Sequence, residues 1–165
     1  DTGNVVLYRS VFETCGLFDE QFEGMRMGDG EFGLRAHRAG ILSISNPEAK
    51  RIHLKVAQGG LRQMGSWDAL RPTNFINPRP IPSVLYLASL HFDKSFALRY
   101  LLTSIPFSLS PYSLKSTLKG VILSLFFFFL LFPMILFQVL RSWLLASTLI
   151  KEGPKIGPLM PLEME

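Results

Sequence analysis

The sequence predicts a small α/β soluble portion followed by one membrane-crossing helix. Two observations carry this. Short β-rich runs alternate with short helical patterns that end in glycine over the first 44 residues, and residues 120–140 carry no charge at all. A third is the loop chemistry of residues 56–82, rich in glycine, proline and asparagine, which separates the two regions as irregular chain.

The first element is a strand over residues 4–8. Ser10, with Glu13 three positions on, has the spacing of a capping box for a short helix that Gly16 ends. A second helix is expected over residues 31–39, where Phe32, Leu34, Ala36 and Ala39 alternate with basic residues and Gly40 supplies the stop. Asp29, between Gly28 and Gly30, then falls at or just before that helix's amino terminus. Ile41-Leu42-Ser43-Ile44 resumes a strand, Asn46-Pro47 breaks it, and residues 51–54 make a second extended run. Residues 83–105 are apolar but interrupted by His91, Asp93, Lys94 and Arg99, which is the composition of an amphipathic segment on a membrane surface.

The uncharged stretch that follows, with four consecutive phenylalanines at 126–129, matches the roughly 20 residues a helix needs to cross a hydrocarbon core. Lys115 and Lys119 before it, Arg141 after it and Trp143 beyond suit the two headgroup levels. About 120 residues precede it, too few to enclose such a helix on every side in a soluble core. Pro133 is expected to kink it. The net charge of +4 comes from scattered basic residues, several beside the apolar stretch, which favours membrane lipid over nucleic acid as a partner. The single cysteine, Cys15, excludes an internal disulfide and reads as a small buried apolar residue. The chain opens at Asp1 in mid-pattern, so it is expected to be part of a longer protein. The resulting segments are 1–66, the soluble unit; 67–82, an irregular loop; 83–119, an amphipathic juxtamembrane segment; 120–142, the transmembrane helix; and 143–165, a disordered tail.

The chemistry-bearing cluster is Gly28-Asp29-Gly30-Glu31-Phe32-Gly33-Leu34-Arg35. A carboxylate where a helix begins is held as an anion by unpaired backbone donors, and from a loop it reaches a substrate hydroxyl. Glu31 and Arg35, four apart, also form an ordinary ion pair. His37 and His91 have no partner at a telling spacing and read as structural.

The order and spacing of Gly3-Asn4-Val5-Val6-Leu7-Tyr8-Arg9-Ser10-Val11-Phe12, of Cys15-Gly16-Leu17-Phe18-Asp19-Glu20-Gln21-Phe22, of the Asp29 cluster and of Arg38-Ala39-Gly40 resemble the second half of the family two glycosyltransferases. The resemblance covers roughly residues 1–62 and implies part of a GT-A domain, lacking its nucleotide-binding half, ahead of the transmembrane helix. It departs from the family at Gly28, which stands where a glutamate is expected. It implies that Asp29 is the general base of an inverting transfer from a nucleotide-sugar donor to a saccharide or lipid-linked acceptor. Glu31, Arg35, Gly3 and Asn4 would bind the acceptor or support the loop. His53 would meet a metal or the diphosphate, and Lys55 and Arg62 phosphate charge. A divalent metal, magnesium or manganese, is expected on the same ground. The family's aspartate-x-aspartate motif is absent from this stretch and is expected upstream, so the piece alone is expected to be inactive. With the apolar stretch, membrane attachment is expected, with the catalytic part cytoplasmic. The alternative is a non-catalytic membrane-anchored binding or assembly protein.

Overall fold

The computed structural model describes residues 5–50, 69–72, 74–109, 112–114 and 117–160. Among these the regular elements are helical: α1 (Arg9–Cys15), α2 (Gly28–Arg38), α3 (Pro82–His91), α4 (Lys94–Phe107), α5 (Leu118–Leu130) and α6 (Phe132–Glu152), with 3₁₀ turns at Glu20–Phe22 and Tyr112–Leu114. The expected α/β architecture, and with it the GT-A fold, is overturned, because no strand forms among the described residues. Residues 5–8 and 41–44 are chain without a regular element. A β-rich run becomes a strand only when a ladder partner satisfies its backbone, and these two find none among the described residues. The extended run expected at 51–54 lies outside them.

The α1–α2 unit is built on aromatic packing. Val11, Phe32 and Ala36 are buried, with Leu7, Phe12, Cys15 and Ile41 against them. The rings of Phe18 and Phe32 stack at 4.5 Å, and Phe12 closes the cluster at 5.3 Å from Phe32. α1 starts at Arg9 and its cap residue, Tyr8, makes no side-chain hydrogen bond, so Ser10 does not form the expected capping box. Gly16 ends α1 at φ 74°, and Gly40 follows α2 at φ 80°, backbone conformations that glycine enters without the steric cost of a side chain.

The α3–α6 unit is apolar. Leu85, Leu101, Ile105, Ile135 and Ala146 form its buried core. Pro82 opens α3 where its missing N–H costs nothing, Asp93 caps α4 by accepting from the Phe96 N–H at 2.6 Å, and Thr117 caps α5 by accepting from the Gly120 N–H at 3.1 Å. α3 is buried along most of its length rather than lying amphipathically on a surface: Ser83, Val84, Leu85, Tyr86 and Ala88 are all enclosed. α6 turns Ile135, Gln138, Ser142 and Ala146 inward, a single stripe at helical spacing.

The apolar stretch is two helices rather than one. Proline at 133 has no N–H for the Phe129 carbonyl, and its ring crowds that carbonyl, so α5 closes at Leu130 and α6 begins after the single non-helical residue Leu131. α6 runs for 21 residues, about 31 Å at the usual rise, and is long and apolar enough to cross a membrane. That candidate span, Phe132–Glu152, is displaced toward the carboxy terminus from the expected 120–142. Its outward face carries Phe137, Leu140, Trp143 and Leu144, all exposed. Its inward face meets polar chain: Gln138 Nε2 donates to the Phe75 carbonyl at 3.2 Å, and Arg79 Nε donates to Gln138 Oε1 at 3.1 Å.

The tail expected to be disordered is instead hydrogen-bonded as far as it is described. Residues 143–152 belong to α6, and the chain after Gly153 folds back along residues 16–20. Leu17 N–H donates to the Gly157 carbonyl at 3.0 Å, Glu20 N–H donates to the Lys155 carbonyl at 3.1 Å, and Asp19 and Ile156 form an isolated antiparallel bridge.

Candidate functional site

α2 begins in a strained turn. Met27, its cap, has φ 81°, a left-handed conformation that side-chain-bearing residues seldom adopt, and strain of this kind collects at functional positions. Asp29 is the second residue of α2, in its first turn, and is exposed. The Gly30 N–H donates to its Oδ1 at 2.9 Å.

Two residues on, Glu31 faces the opposite way and is only 2% exposed. Its carboxylate is held in a fork by Arg35, with Nε donating to Oε1 at 3.0 Å and Nη2 donating to Oε2 at 2.9 Å. A surface ion pair at this spacing contributes a few tenths of a kcal/mol, but here the acid is buried, so removing its partner would strand a charge away from water. Arg35 also donates to the Cys15 carbonyl and, at 2.9 Å, to the Leu17 carbonyl. It therefore pins the end of α1 to α2, and its stacking contact with Phe32, 5.4 Å from the ring centre, fixes the guanidinium further.

The Glu31–Arg35 pair thus braces α2 against the end of α1, with Glu31 buried and Asp29 exposed. The remaining predicted positions, Gly3, Asn4, His53, Lys55 and Arg62, lie outside the described residues.

Residues that sequence reasoning passed over tie this unit to the rest of the molecule. Asp19 is 3% exposed, and its carboxylate accepts three hydrogen bonds from three parts of the chain: Oδ1 from the Gln21 N–H at 3.0 Å and the Lys155 N–H at 2.9 Å, and Oδ2 from the Tyr86 hydroxyl at 2.8 Å. Burial first, and then the hydrogen bond to Asp19, push the Tyr86 phenol above its ordinary range. Phe22 packs on the same tyrosine at 5.1 Å between ring centres. His91 bridges Glu31 and Arg38, with Nε2 3.3 Å from Glu31 Oε1 and Nδ1 2.9 Å from Arg38 Nη1. His91 has partners after all, but they lie 53 and 60 residues away in sequence, and no local spacing could signal them.

For the divalent metal, the fit is negative: among the described residues no three His, Cys, Asp or Glu side chains converge as a ligand group, and the buried carboxylates Asp19 and Glu31 are already occupied by protein donors.

Fold and site together define a helical protein, in its described part, with one helix able to span a bilayer and an exposed carboxylate at the start of a firmly braced helix. Set against protein-family models, curated proteins and solved structures, the chain finds no match in any of the three.

Proposed function

We infer that the chain is the acceptor-side, membrane-associated part of an inverting sugar transferase in which Asp29 is the general base. The observation that carries this reading is the placement of Asp29: an exposed carboxylate in the first turn of α2, on a helix braced from behind by the buried Glu31–Arg35 pair. The order of residues 3–40 that resembles family two glycosyltransferases supports the same assignment.

The reaction needs little from this carboxylate beyond position and charge. The acceptor hydroxyl gives its proton to Asp29 as its oxygen bonds to the anomeric carbon of the donor. The bond from that carbon to the diphosphate oxygen breaks on the opposite face, and the nucleoside diphosphate leaves with the electron pair. An aspartate in the first turn stays ionised at neutral pH, as a base must. The donor is a multiply charged nucleotide-sugar that does not cross a bilayer unaided, so the soluble face is assigned to the cytoplasm. α6 is assigned to the membrane, where it keeps the site beside a saccharide or lipid-linked acceptor made there. The divalent metal and the donor-binding half belong, in this reading, to chain beyond the described residues.

The test uses the full-length protein in its native membranes, offered a panel of nucleoside-diphosphate sugars, with release of the nucleoside diphosphate as the readout. Asp29→Asn is expected to lower release about a hundredfold or more, the usual contribution of a positioned base, without changing membrane retention. Wild-type release by that variant would remove Asp29 from the mechanism. Absence of release by the unmodified protein with every donor would favour a non-catalytic binding protein, the reading to which Gly28 in place of a glutamate points.

A further inference from the structure

His91 closes α3, and its ring is held at both nitrogens by the helix that carries Asp29. Arg38 Nη1 lies 2.9 Å from Nδ1. A guanidinium only donates, so Nδ1 accepts and carries no proton. The ring proton is then on Nε2, which faces the Glu31 carboxylate at 3.3 Å and donates to it. The contacts assign the tautomer.

Glu31 and Arg38 are seven residues apart, two turns of α2 and about 10 Å along its axis. One contact would let α2 pivot about it. Two contacts on one side chain stop both rotation and sliding, and a third adds to them, because Arg38 Nη2 donates to the His91 backbone carbonyl, which the end of α3 leaves without a helical partner. Neither end of the clamp is loose. Glu31 is forked by Arg35, and α3 is buried against the rest of the apolar unit from Ser83 to Ala88.

We propose that His91 is a positioning residue: through Glu31 and Arg38 it sets where α2, and so the Asp29 carboxylate, stands relative to the membrane-side helices. This rests on Asp29 being the base. His91 touches no reacting atom; it acts through the helix. A misplacement of the order of 1 Å in a reacting group can cost about a hundredfold in rate while leaving substrate binding intact.

The test compares full-length His91→Phe, His91→Gln and Arg38→Met with the unmodified protein in membranes, measuring kcat and KM for the nucleotide-sugar by nucleoside diphosphate release and following hydrogen exchange of the α2 amides. Phenylalanine fills the space without either hydrogen bond, whereas glutamine restores one donor and one acceptor. His91→Phe is expected to lose about tenfold or more in kcat with KM unchanged and to speed α2 exchange relative to α6. His91→Gln is expected to recover most of the loss, and Arg38→Met to show part of it. Wild-type kcat in His91→Phe, or equal losses in His91→Phe and His91→Gln, would overturn the proposal. Should His91→Phe fail to fold, Arg38→Met decides, since Arg38 is exposed and its loss leaves the core intact; wild-type kcat there overturns the proposal as well. Asp29→Asn, run alongside, separates the two readings. If it keeps full turnover, the base assignment fails, and faster α2 exchange in His91→Phe still reports the clamp.

Discussion

The α1–α2 unit and the α3–α6 unit both bury polar groups, and they differ in whether some of these are left without partners. In the first, Asp19 and Glu31 are enclosed, and each carboxylate oxygen receives at least one donor. In the second, the hydroxyls of Ser83, Ser124 and Ser142 are fully buried with no hydrogen-bond partner among the described residues, while the core around them is aliphatic and aromatic. A buried charge without partners is too costly to keep, whereas a small hydroxyl can be carried for the close helix approach its size permits. Directional bonds fix angles and distances; apolar packing fixes volume. Bonds specify the geometry of the unit that holds Asp29, whereas the unit that contains the candidate span combines the bonds of Arg79 and Gln138 with apolar fit around its serines.

The comparison breaks most visibly if the first unit can be opened alone. Phe32→Ala, at the centre of the aromatic cluster, is expected to cost the α1–α2 unit about 3–5 kcal/mol. Hydrogen exchange measured in lipid nanodiscs should then show loss of protection in α1 and α2 with α6 unchanged. Equal loss in α6 would mean that the two units unfold as one and that the contrast is superficial.

A smaller effect probes the joint. Tyr86→Phe leaves Asp19 Oδ2 without its hydroxyl donor and is expected to weaken docking of the two units by about 1.5–3 kcal/mol, the range for a hydrogen bond to a charged group. The pH dependence has a definite sign. Because the phenol is raised in the folded protein, its contribution is complete below about pH 10, where the free side chain begins to ionise, and is lost as pH climbs through the raised folded-state value. Tyrosinate absorbance followed during alkaline titration should show a late, cooperative step in the unmodified protein that Tyr86→Phe lacks. An unchanged step would place the alkaline transition elsewhere.

The smallest effect sharpens the distinction between buried and exposed pairs. Arg9 and Glu13 form an ion pair at 3.1 Å on the outer face of α1, both exposed to water in part. Glu13→Gln should change stability by about 0.3 kcal/mol, lost further in high salt, as measured by thermal unfolding. A cost approaching that of Tyr86→Phe would show that exposure is a poor guide to the worth of an ion pair in this protein.

Much of the local structure was legible in the sequence. Gly16 and Gly40 mark where α1 and α2 stop, the alternation of Phe32 and Ala36 with charged neighbours marks the buried side of α2, and Asp29 falls at the start of that helix as its flanking glycines suggest. These are short-range properties: a left-handed residue, a helical period and a cap act within a few positions. The uncharged run at 120–140 likewise announces an apolar element, although the break beside Pro133 moves the longer helix to Phe132–Glu152.

Tertiary structure decided the rest. Residues 5–8 and 41–44 have strand composition yet form no strand, because a strand is a property of a pair and composition describes only one member. Asp19 meets Tyr86 and Lys155, and Glu31 meets His91, across 60 or more residues of intervening chain. The sequence determines which side chains can donate and accept; only the packing of α3 against α6, and the return of the chain after Gly153, determines which of them come within hydrogen-bonding distance.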